Sequence, residues 1–235
     1  MTTKRIIISN AKGGCGKTTI ATNLASFYAS QGKNVRLFDH DGQCSALHWI
    51  KQRSTDDNLI HGVDASRGPH NHMTRSWQMR VPPETDVVII DTAAGFDINE
   101  LASMFTSNDF LIIPVLPSPI DIHATAHFIK DVLLIGKARQ KQIRMAVIAN
   151  RVRSNTLMYH ALERFLFSLK IPFVTSFRDT QNYSKAIQQG IGIQELKSSR
   201  VKKDREQWSP LMRWLDSPLM VNRAAEIRPL FKQSS

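Results

Sequence analysis

A glycine-rich stretch near the amino terminus combines the residue types that bind phosphate. It runs from Asn10 to Leu24 and reads NAKGGCGKTTIATNL. Its glycines let backbone N–H groups converge on phosphate oxygens, and the helix that follows adds the positive end of its dipole. In such a loop Lys17 reaches the β- and γ-phosphates and the Thr18 hydroxyl suits Mg²⁺. The stretch therefore predicts a nucleotide site that comprises Gly13, Gly14, Cys15, Gly16, Lys17, Thr18 and Thr19.

The same stretch contains a second lysine that a phosphate loop does not need. Lys12 precedes two glycines and lies five residues before Lys17. The common pattern is G-x-x-x-x-G-K-[ST], and Ala11 occupies the place of its first glycine. The loop is therefore a variant form, and Lys12 needs an explanation of its own.

Short apolar runs alternate with helical patterns along the chain. The runs are rich in β-branched residues, as strands buried on both faces are. The alternation predicts an α/β fold, with a mostly parallel twisted sheet and helices on both faces. We predict strands at 5–9, 34–39, 86–91, 109–115, 144–150 and 171–177, and helices near 17–31, 43–53, 97–107, 120–138 and 156–169.

The chain shows no linker that would divide it. A single domain over residues 1–235 is expected, with a helical extension over about 206–235. Residues 61–85 are rich in Gly, Pro, His and Arg and are predicted to form a long loop or a short irregular insertion. Two cysteines do not form a disulfide framework, and no signal peptide pattern is seen, so a reducing cytosol is expected.

Polar signals follow several of the predicted strands. They read DHDGQ, DTAAG and NRVRS. Because the carboxyl ends of parallel strands share one edge of a sheet, these segments should meet the phosphate loop there. Asp91 ends an apolar strand, and an ionised carboxylate beside a core needs a cation or several donors. We therefore assign Asp91 to the Mg²⁺ shell, with a water molecule between the carboxylate and the ion.

The form K-G-G-x-G-K-T-T resembles the deviant phosphate loop of the ParA/MinD family of ATPases. Three other stretches resemble motifs of the same family: LFDHDGQCSALHW its second acidic motif, VVIIDTAAG its magnesium-site strand, and VIANRVRSNT its adenine-contacting strand. IPVLPSPIDIHA is similar to the strand and loop that lie between the last two. The resemblance covers about residues 4–195, and Gly42 stands where the family commonly has proline.

This resemblance implies functions for individual residues. In the family, two protomers face each other with two ATP molecules between them, so Lys12 would act on the phosphates of the partner. Asp41 matches the catalytic carboxylate that orients or activates the attacking water, and Asp39 is a neighbour that also faces the metal. Asn150 matches the adenine contact, although a helix-capping asparagine is the alternative. The implied cofactors are ATP and Mg²⁺.

The charge of the chain is unevenly distributed. Residues 130–235 carry 20 Lys and Arg against 8 Asp and Glu, whereas the net charge of the whole chain is +11. A one-sided basic surface attracts polyanions, nucleic acid first and anionic membrane second. A solvated basic helix face is the other interpretation. The candidate DNA contacts are Lys197, Arg200, Lys202, Lys203 and Arg205, and Arg178 lies where the family places a DNA-contacting arginine.

The combined prediction is a small ParA-type ATPase in the cytoplasm, associated with the nucleoid. Such proteins form a homodimer on ATP and bind double-stranded DNA without sequence preference. A ParB-like or other adaptor then stimulates hydrolysis, which partitions or positions a cargo. A MinD-like membrane ATPase is the main alternative, although Pro210, Pro218 and Pro229 interrupt the tail that would lie on the lipid. An ATP-dependent metabolic enzyme of the same fold is a further alternative.

Overall fold

The computed structural model describes residues 3–54, 59–66, 79–153, 157–168, 171–197 and 199–218. Within them, seven strands form one parallel sheet in the order β3-β2-β4-β1-β5-β6-β7. The α/β prediction with a parallel sheet is confirmed. The strands are β1 Lys4–Ile8, β2 Val35–Asp39, β3 Ile60–Asp64, β4 Val87–Asp91, β5 Phe110–Val115, β6 Arg144–Val152 and β7 Phe173–Arg178.

Helices cover both faces of this sheet. Three of them follow a residue whose side chain accepts hydrogen bonds from the first turn of the helix: Asp97, Ser118 and Thr180. Such caps satisfy N–H groups that have no partner inside the helix. The helices are α1 Lys17–Ser30, α2 Ser45–Gln52, α3 Ile98–Met104, α4 Pro119–Leu134, α5 Leu157–Ser168, α6 Gln181–Gln188, α7 Lys202–Glu206 and α8 Ser209–Asp216.

Alternating residues of the central strands form two hydrophobic cores. Ile6 and Ile8 of β1 pack on one face in a cluster that includes Leu24 of α1. Ile7 points to the other face and packs in a cluster that includes Ile129 of α4. Burying a side chain of this size stabilises the fold by roughly 1.5–3 kcal/mol. The sheet is thus held rigidly between two layers, so the positions of its strand ends are fixed.

The prediction of a loop over residues 61–85 is wrong at its start, because β3 covers Ile60–Asp64. This edge strand contains exposed His61 and Gly62 and lacks a continuous apolar run. A Cβ at Gly62 would lie 2.6 Å from Cδ2 of Leu47 and 2.7 Å from Cδ1 of Ile50, so the ends of these two side chains would have to move. The helix α2 therefore lies close against β3. Residues 67–78 of the predicted loop lie outside the described residues.

The first part of the predicted C-terminal extension packs into the main core. Trp208 and, from α8, Leu211 and Leu215 are buried in the same cluster as Ile6. The Thr175 hydroxyl of β7 also donates to the Gln207 carbonyl at 2.7 Å. The rest of the extension, residues 219–235, lies outside the described residues. Among the helices that are described, none has the length and apolar character to span a membrane.

Candidate nucleotide-binding site

Four polar segments meet at the carboxyl edge of the sheet, as the sequence predicts. The phosphate loop follows β1, and the register of the parallel strands pairs Ile8 with Asp91 at the end of β4. Asp91 in turn pairs with Asp39 at the end of β2. Asn150, near the end of β6, reaches the loop through a hydrogen bond to Cys15. The sheet thus brings together side chains that are distant in sequence.

The loop presents backbone donors to the solvent at the start of α1. Gly14 and Gly16 have φ angles of 73° and 94°, which L side chains rarely adopt. No side chain caps the helix that begins at Lys17. The first N–H groups of a helix have no partner inside it, and together with the helix dipole they favour an anion. This arrangement suits a phosphate group.

The Lys17 ammonium lies within the loop. Its Nζ donates to the carbonyl of Lys12 at 2.9 Å and to that of Asn10 at 3.3 Å, and only 7% of the residue is exposed. Lys12 itself is partly exposed. Its ammonium forms no ion pair with any described residue of the chain. The two lysines therefore have different surroundings. The loop holds the Lys17 ammonium, whereas the Lys12 ammonium is available to a group outside the loop.

Asn10 is a positioning residue that the sequence interpretation missed. Its Nδ2 donates to the Pro114 carbonyl at 2.7 Å and to the Thr125 hydroxyl of α4 at 2.9 Å. Its Oδ1 accepts from the Lys12 N–H at 3.4 Å. Asn10 thus joins the start of the loop to β5 and α4. The available signal was a polar residue at the junction of an apolar strand and a glycine-rich loop.

Asp91 has the surroundings of a metal ligand. It is fully buried, and neither carboxylate oxygen makes a well-formed hydrogen bond, although the neighbouring Thr18 hydroxyl favours the charged form. Burial raises its pKa to about 7; the Asp39 and Asp41 carboxylates act in the same direction, while Thr18 and Lys17 lower it. A buried carboxylate without donors is costly unless a cation neutralises it. Mg²⁺ commonly binds through one or two protein oxygens together with water and phosphate, and Asp91 and the Thr18 hydroxyl fit this set.

The pKa of Asp91 predicts a pH-dependent penalty in the protein without metal and nucleotide. Folding raises the Asp91 pKa from 3.8 to about 7, so the folded state holds an extra proton between these values. Stability should therefore fall as pH rises from 4 through 7. Asp91→Asn removes the charge and should stabilise this protein at pH 8, by at most on the order of 4 kcal/mol.

Urea unfolding of the nucleotide-free protein at several pH values measures this effect. The advantage of Asp91→Asn should be largest at pH 8 and should shrink below pH 7. Asp131→Asn, at a half-exposed position of α4, is the matched control and should show little change. An Asp91→Asn protein with the same unfolding midpoint as the wild type at pH 8 would contradict the assignment.

Both carboxylate oxygens of Asp39 accept hydrogen bonds from the backbone, and its place at the metal stays a prediction. Its Oδ1 accepts from the Asp41 N–H at 3.0 Å. Its Oδ2 accepts from the N–H groups of Ala46 and Leu47, at 2.9 and 3.2 Å, in the first turn of α2. Burial raises the pKa of Asp39, and these N–H groups lower it. These three hydrogen bonds fix the acidic loop and the start of α2.

Asp41 lies at the same edge and remains partly exposed. Its Oδ1 accepts from the Gln43 N–H at 3.0 Å, and its carbonyl accepts from the Cys44 N–H at 2.8 Å. These bonds form a tight turn that holds the carboxylate. Its charge contributes to the raised pKa of Asp91, so the two groups are electrostatically coupled. A carboxylate in this position could orient a water molecule, and this function stays a prediction.

Asn150 contacts the phosphate loop directly. Its Nδ2 donates to the Cys15 carbonyl at 2.8 Å, and its Oδ1 accepts from the Arg151 N–H at 2.9 Å. It lies within β6, so it is not a helix cap. The adenine contact stays a prediction. Cys15 is fully buried, and burial raises the pKa of its thiol, as expected for a small filling residue rather than a reactive one.

The candidate DNA contacts divide into two groups. Arg178 forms an ion pair with the fully buried Asp204, in which its NH2 group lies 3.0 Å from Oδ2, and this bond raises its pKa. Arg205 donates to the Leu196 carbonyl at 2.6 Å. Both arginines therefore stabilise the fold locally. The other group consists of Lys197, Arg200, Lys202 and Lys203, whose side chains are exposed, as is that of Arg205.

The place of the loop, between the first strand and the first helix of a parallel sheet, defines a P-loop nucleotide-binding protein. Within this class, the chain belongs to the family described as the CobQ/CobB/MinD/ParA nucleotide binding domain, whose model matches residues 6–193. The resemblance drawn from the sequence motifs is confirmed. ParA and MinD proteins are ATPases.

Relatives and solved structures agree with this family. The chain is 29% identical over 192 residues to the maintenance of carboxysome distribution protein A of Halothiobacillus neapolitanus, covering 81% of this chain and 87% of the relative. The apo structure of McdA from Cyanothece has a TM-score of 0.67 at 17% identity and covers 89% and 100% of the two chains. MinD of Pyrococcus horikoshii, solved with Mg-ADP, has a TM-score of 0.62 at 17% identity and covers 92% and 96%.

Proposed function

We propose that this protein is a ParA-type positioning ATPase. It binds ATP with Mg²⁺, forms a homodimer, binds double-stranded DNA without sequence preference, and releases it after hydrolysis stimulated by an adaptor protein. When bound, Mg²⁺ supplies a positive charge to the phosphate oxygens. Thr18 and Asp91 would hold it, while Lys17 would bind the β- and γ-phosphates. The protein would act in the cytoplasm, on the nucleoid.

The main observation in support of this proposal is that the loop contains two lysines in different environments. Lys17 is enclosed by the loop carbonyls, so it can serve the nucleotide bound to its own chain. Lys12 has no ion-pair partner among the described residues and lies at the rim of the same loop. A cation supplied from a second protomer stabilises the charge that develops on a transferring phosphoryl group. This supports a site that is completed by dimerisation.

The cargo is proposed from the similarity to a relative. The relative from Halothiobacillus neapolitanus is named for the maintenance of carboxysome distribution, and the similarity extends over most of both chains. A large protein assembly is therefore the favoured cargo, and a plasmid or a chromosome is the alternative. The adaptor would be a protein that links this ATPase to that assembly.

The exposed lysines of α7 support DNA as the surface to which the protein binds. Lys202 and Lys203 are exposed at α7, and neither forms an ion pair within the described residues. Phosphate contacts by such lysines give affinity without sequence preference. In contrast, Leu211, Met212 and Leu215 of α8 are buried in the core. These apolar side chains are therefore not available to insert into a membrane.

Replacing Lys202 and Lys203 with glutamate should weaken DNA binding and leave ATP binding unchanged. Each phosphate contact contributes roughly −0.9 to the slope of log K against log salt, so the slope should become shallower by about 2. The measurement is a titration of fluorescent duplexes of unrelated sequence, with ATP or ADP, at several salt concentrations.

Lys130→Glu with Lys137→Glu is the matched control. It makes the same change in net charge at two exposed positions. These positions belong to the layer that covers the other face of the sheet. The ATP state should bind much more tightly than the ADP state, and only the α7 variant should lose affinity. Equal affinity in the two nucleotide states would exclude the switch, and binding to anionic vesicles instead of DNA would favour a MinD-like function.

A further inference from the structure

Two histidines face each other on the outer surface of α4. His123 and His127 are four residues apart, and their ring centroids are separated by 4.6 Å with an interplanar angle of 59°. Both side chains are exposed. Residues at i and i+4 of a helix lie one above the other on the same face, so the helix itself holds the two imidazoles together.

Neither packing nor hydrogen bonding accounts for this pair. The buried side of α4 is formed by Thr125, Phe128, Ile129 and Val132, and the histidines lie opposite to it. In the part of the chain that the structure describes, neither ring forms a hydrogen bond or an ion pair, and the aromatic contact of each is with the other. Ile120 and Leu134 on the same outward face are 71% and 66% exposed. The pair is thus open to solvent, and a ligand can approach it.

We propose that His123 and His127 form a binding site for a borderline divalent transition-metal ion, such as Zn²⁺, Ni²⁺ or Cu²⁺. Imidazole nitrogen is the ligand that these ions share, and two imidazoles on adjacent helical turns can bind one ion together. No group of three His, Cys, Asp or Glu side chains in the described residues could hold a metal. The site therefore has two protein ligands, and water completes the coordination.

This site is chemically separate from the predicted magnesium site. Mg²⁺ prefers oxygen ligands and dehydrates reluctantly, so it does not compete for a pair of imidazoles. The proposed function does not depend on this site, nor the site on that function. The charged residues of α4 are Asp121, two residues before His123, and Lys130 and Asp131, three and four residues after His127. The helix therefore carries no net positive charge that would repel a metal ion.

Calorimetry of the full, untagged chain without nucleotide tests the site, because ATP and a histidine tag would both bind the metal. Ni²⁺ is the probe, in a Cys44→Ser background that removes the partly exposed thiol. The protein with both histidines should bind one equivalent of Ni²⁺. His123→Ala and His127→Ala should each weaken this binding at least about tenfold. His48→Ala, an exposed single histidine on α2, is the matched control and should retain it.

Electron paramagnetic resonance of the Cu²⁺ complex gives a second measurement. One equivalent of Cu²⁺ should show coupling to two imidazole nitrogens in the wild type and the His48→Ala variant. Each variant of the pair should lose the two-nitrogen signal. Equal Ni²⁺ affinity and stoichiometry in the wild type and in His123→Ala would overturn the proposal, as would a two-nitrogen Cu²⁺ spectrum that persists when both histidines are replaced.

Discussion

Lys17→Ala is expected to abolish ATP binding in practice, with a loss of about 100-fold or more in affinity. The Lys17 ammonium is buried in the loop and donates to two of its carbonyls, those of Lys12 and Asn10. Alanine removes the cation that would face the β- and γ-phosphates, and each charge-assisted hydrogen bond is worth roughly 1.5–3 kcal/mol. It also leaves the two carbonyls without their donor.

Equilibrium binding of a fluorescent ATP analogue to the purified variant measures this loss. Lys51→Ala, at an exposed position of α2, is the matched control and should bind like the wild type. Thermal unfolding of both variants without nucleotide shows whether the fold persists. If the folded Lys17→Ala protein bound ATP within threefold of the wild type, the phosphate site would lie elsewhere.

Lys12→Ala should separate ATP binding from hydrolysis. The side chain of Lys12 takes no part in holding the loop, although its carbonyl accepts from Lys17, so alanine should leave ATP affinity nearly unchanged. If Lys12 acts on the phosphates of the partner protomer, its loss should lower the hydrolysis rate by roughly 10³–10⁵, as for an arginine finger. Equilibrium binding of the fluorescent ATP analogue measures the affinity, phosphate release under single-turnover conditions measures the hydrolysis rate, and size-exclusion chromatography in ATP reports whether the dimer forms.

Mixing Lys12→Ala with Asp41→Ala distinguishes action in trans from action in cis. Each protein alone should be inactive. In a mixed dimer, one site has an intact Asp41 and receives Lys12 from the other chain, so an equal mixture should regain about a quarter of the wild-type activity. If both residues served their own chain, no site in the mixture would be complete. An inactive mixture would therefore exclude the assignment in trans.

The central strands and the phosphate loop could be predicted because their signals are local. A continuous apolar run marks β1, β4 and β5, and the glycines and lysines of the loop lie within a few residues of each other. The edge strand β3 gave no such signal, since His61 and Gly62 are exposed and interrupt its apolar residues. Its pairing with β2 depends on residues distant in the chain.

The different surroundings of the two carboxylates could not be predicted either, because they also depend on residues distant in the chain. Asp39 and Asp91 both end apolar strands and look equivalent in the sequence. Only the fold shows that the start of α2 donates to Asp39 and leaves Asp91 without a donor. Likewise, Arg178 and Asp204 are 26 residues apart, and their ion pair becomes visible only when β7 and α7 are placed side by side.

The close approach of Asn150 to the phosphate loop limits how the sequence can change over time. A Cβ at position 16 would lie 2.1 Å from Nδ2 of Asn150, and the φ of Gly16 is 94°. A smaller residue at 150 would clear the space but lose the hydrogen bond to Cys15, and the backbone at 16 would still disfavour a side chain. A substitution at either position alone therefore destabilises the loop. This pair of residues can be replaced by a different pair only if both positions change together.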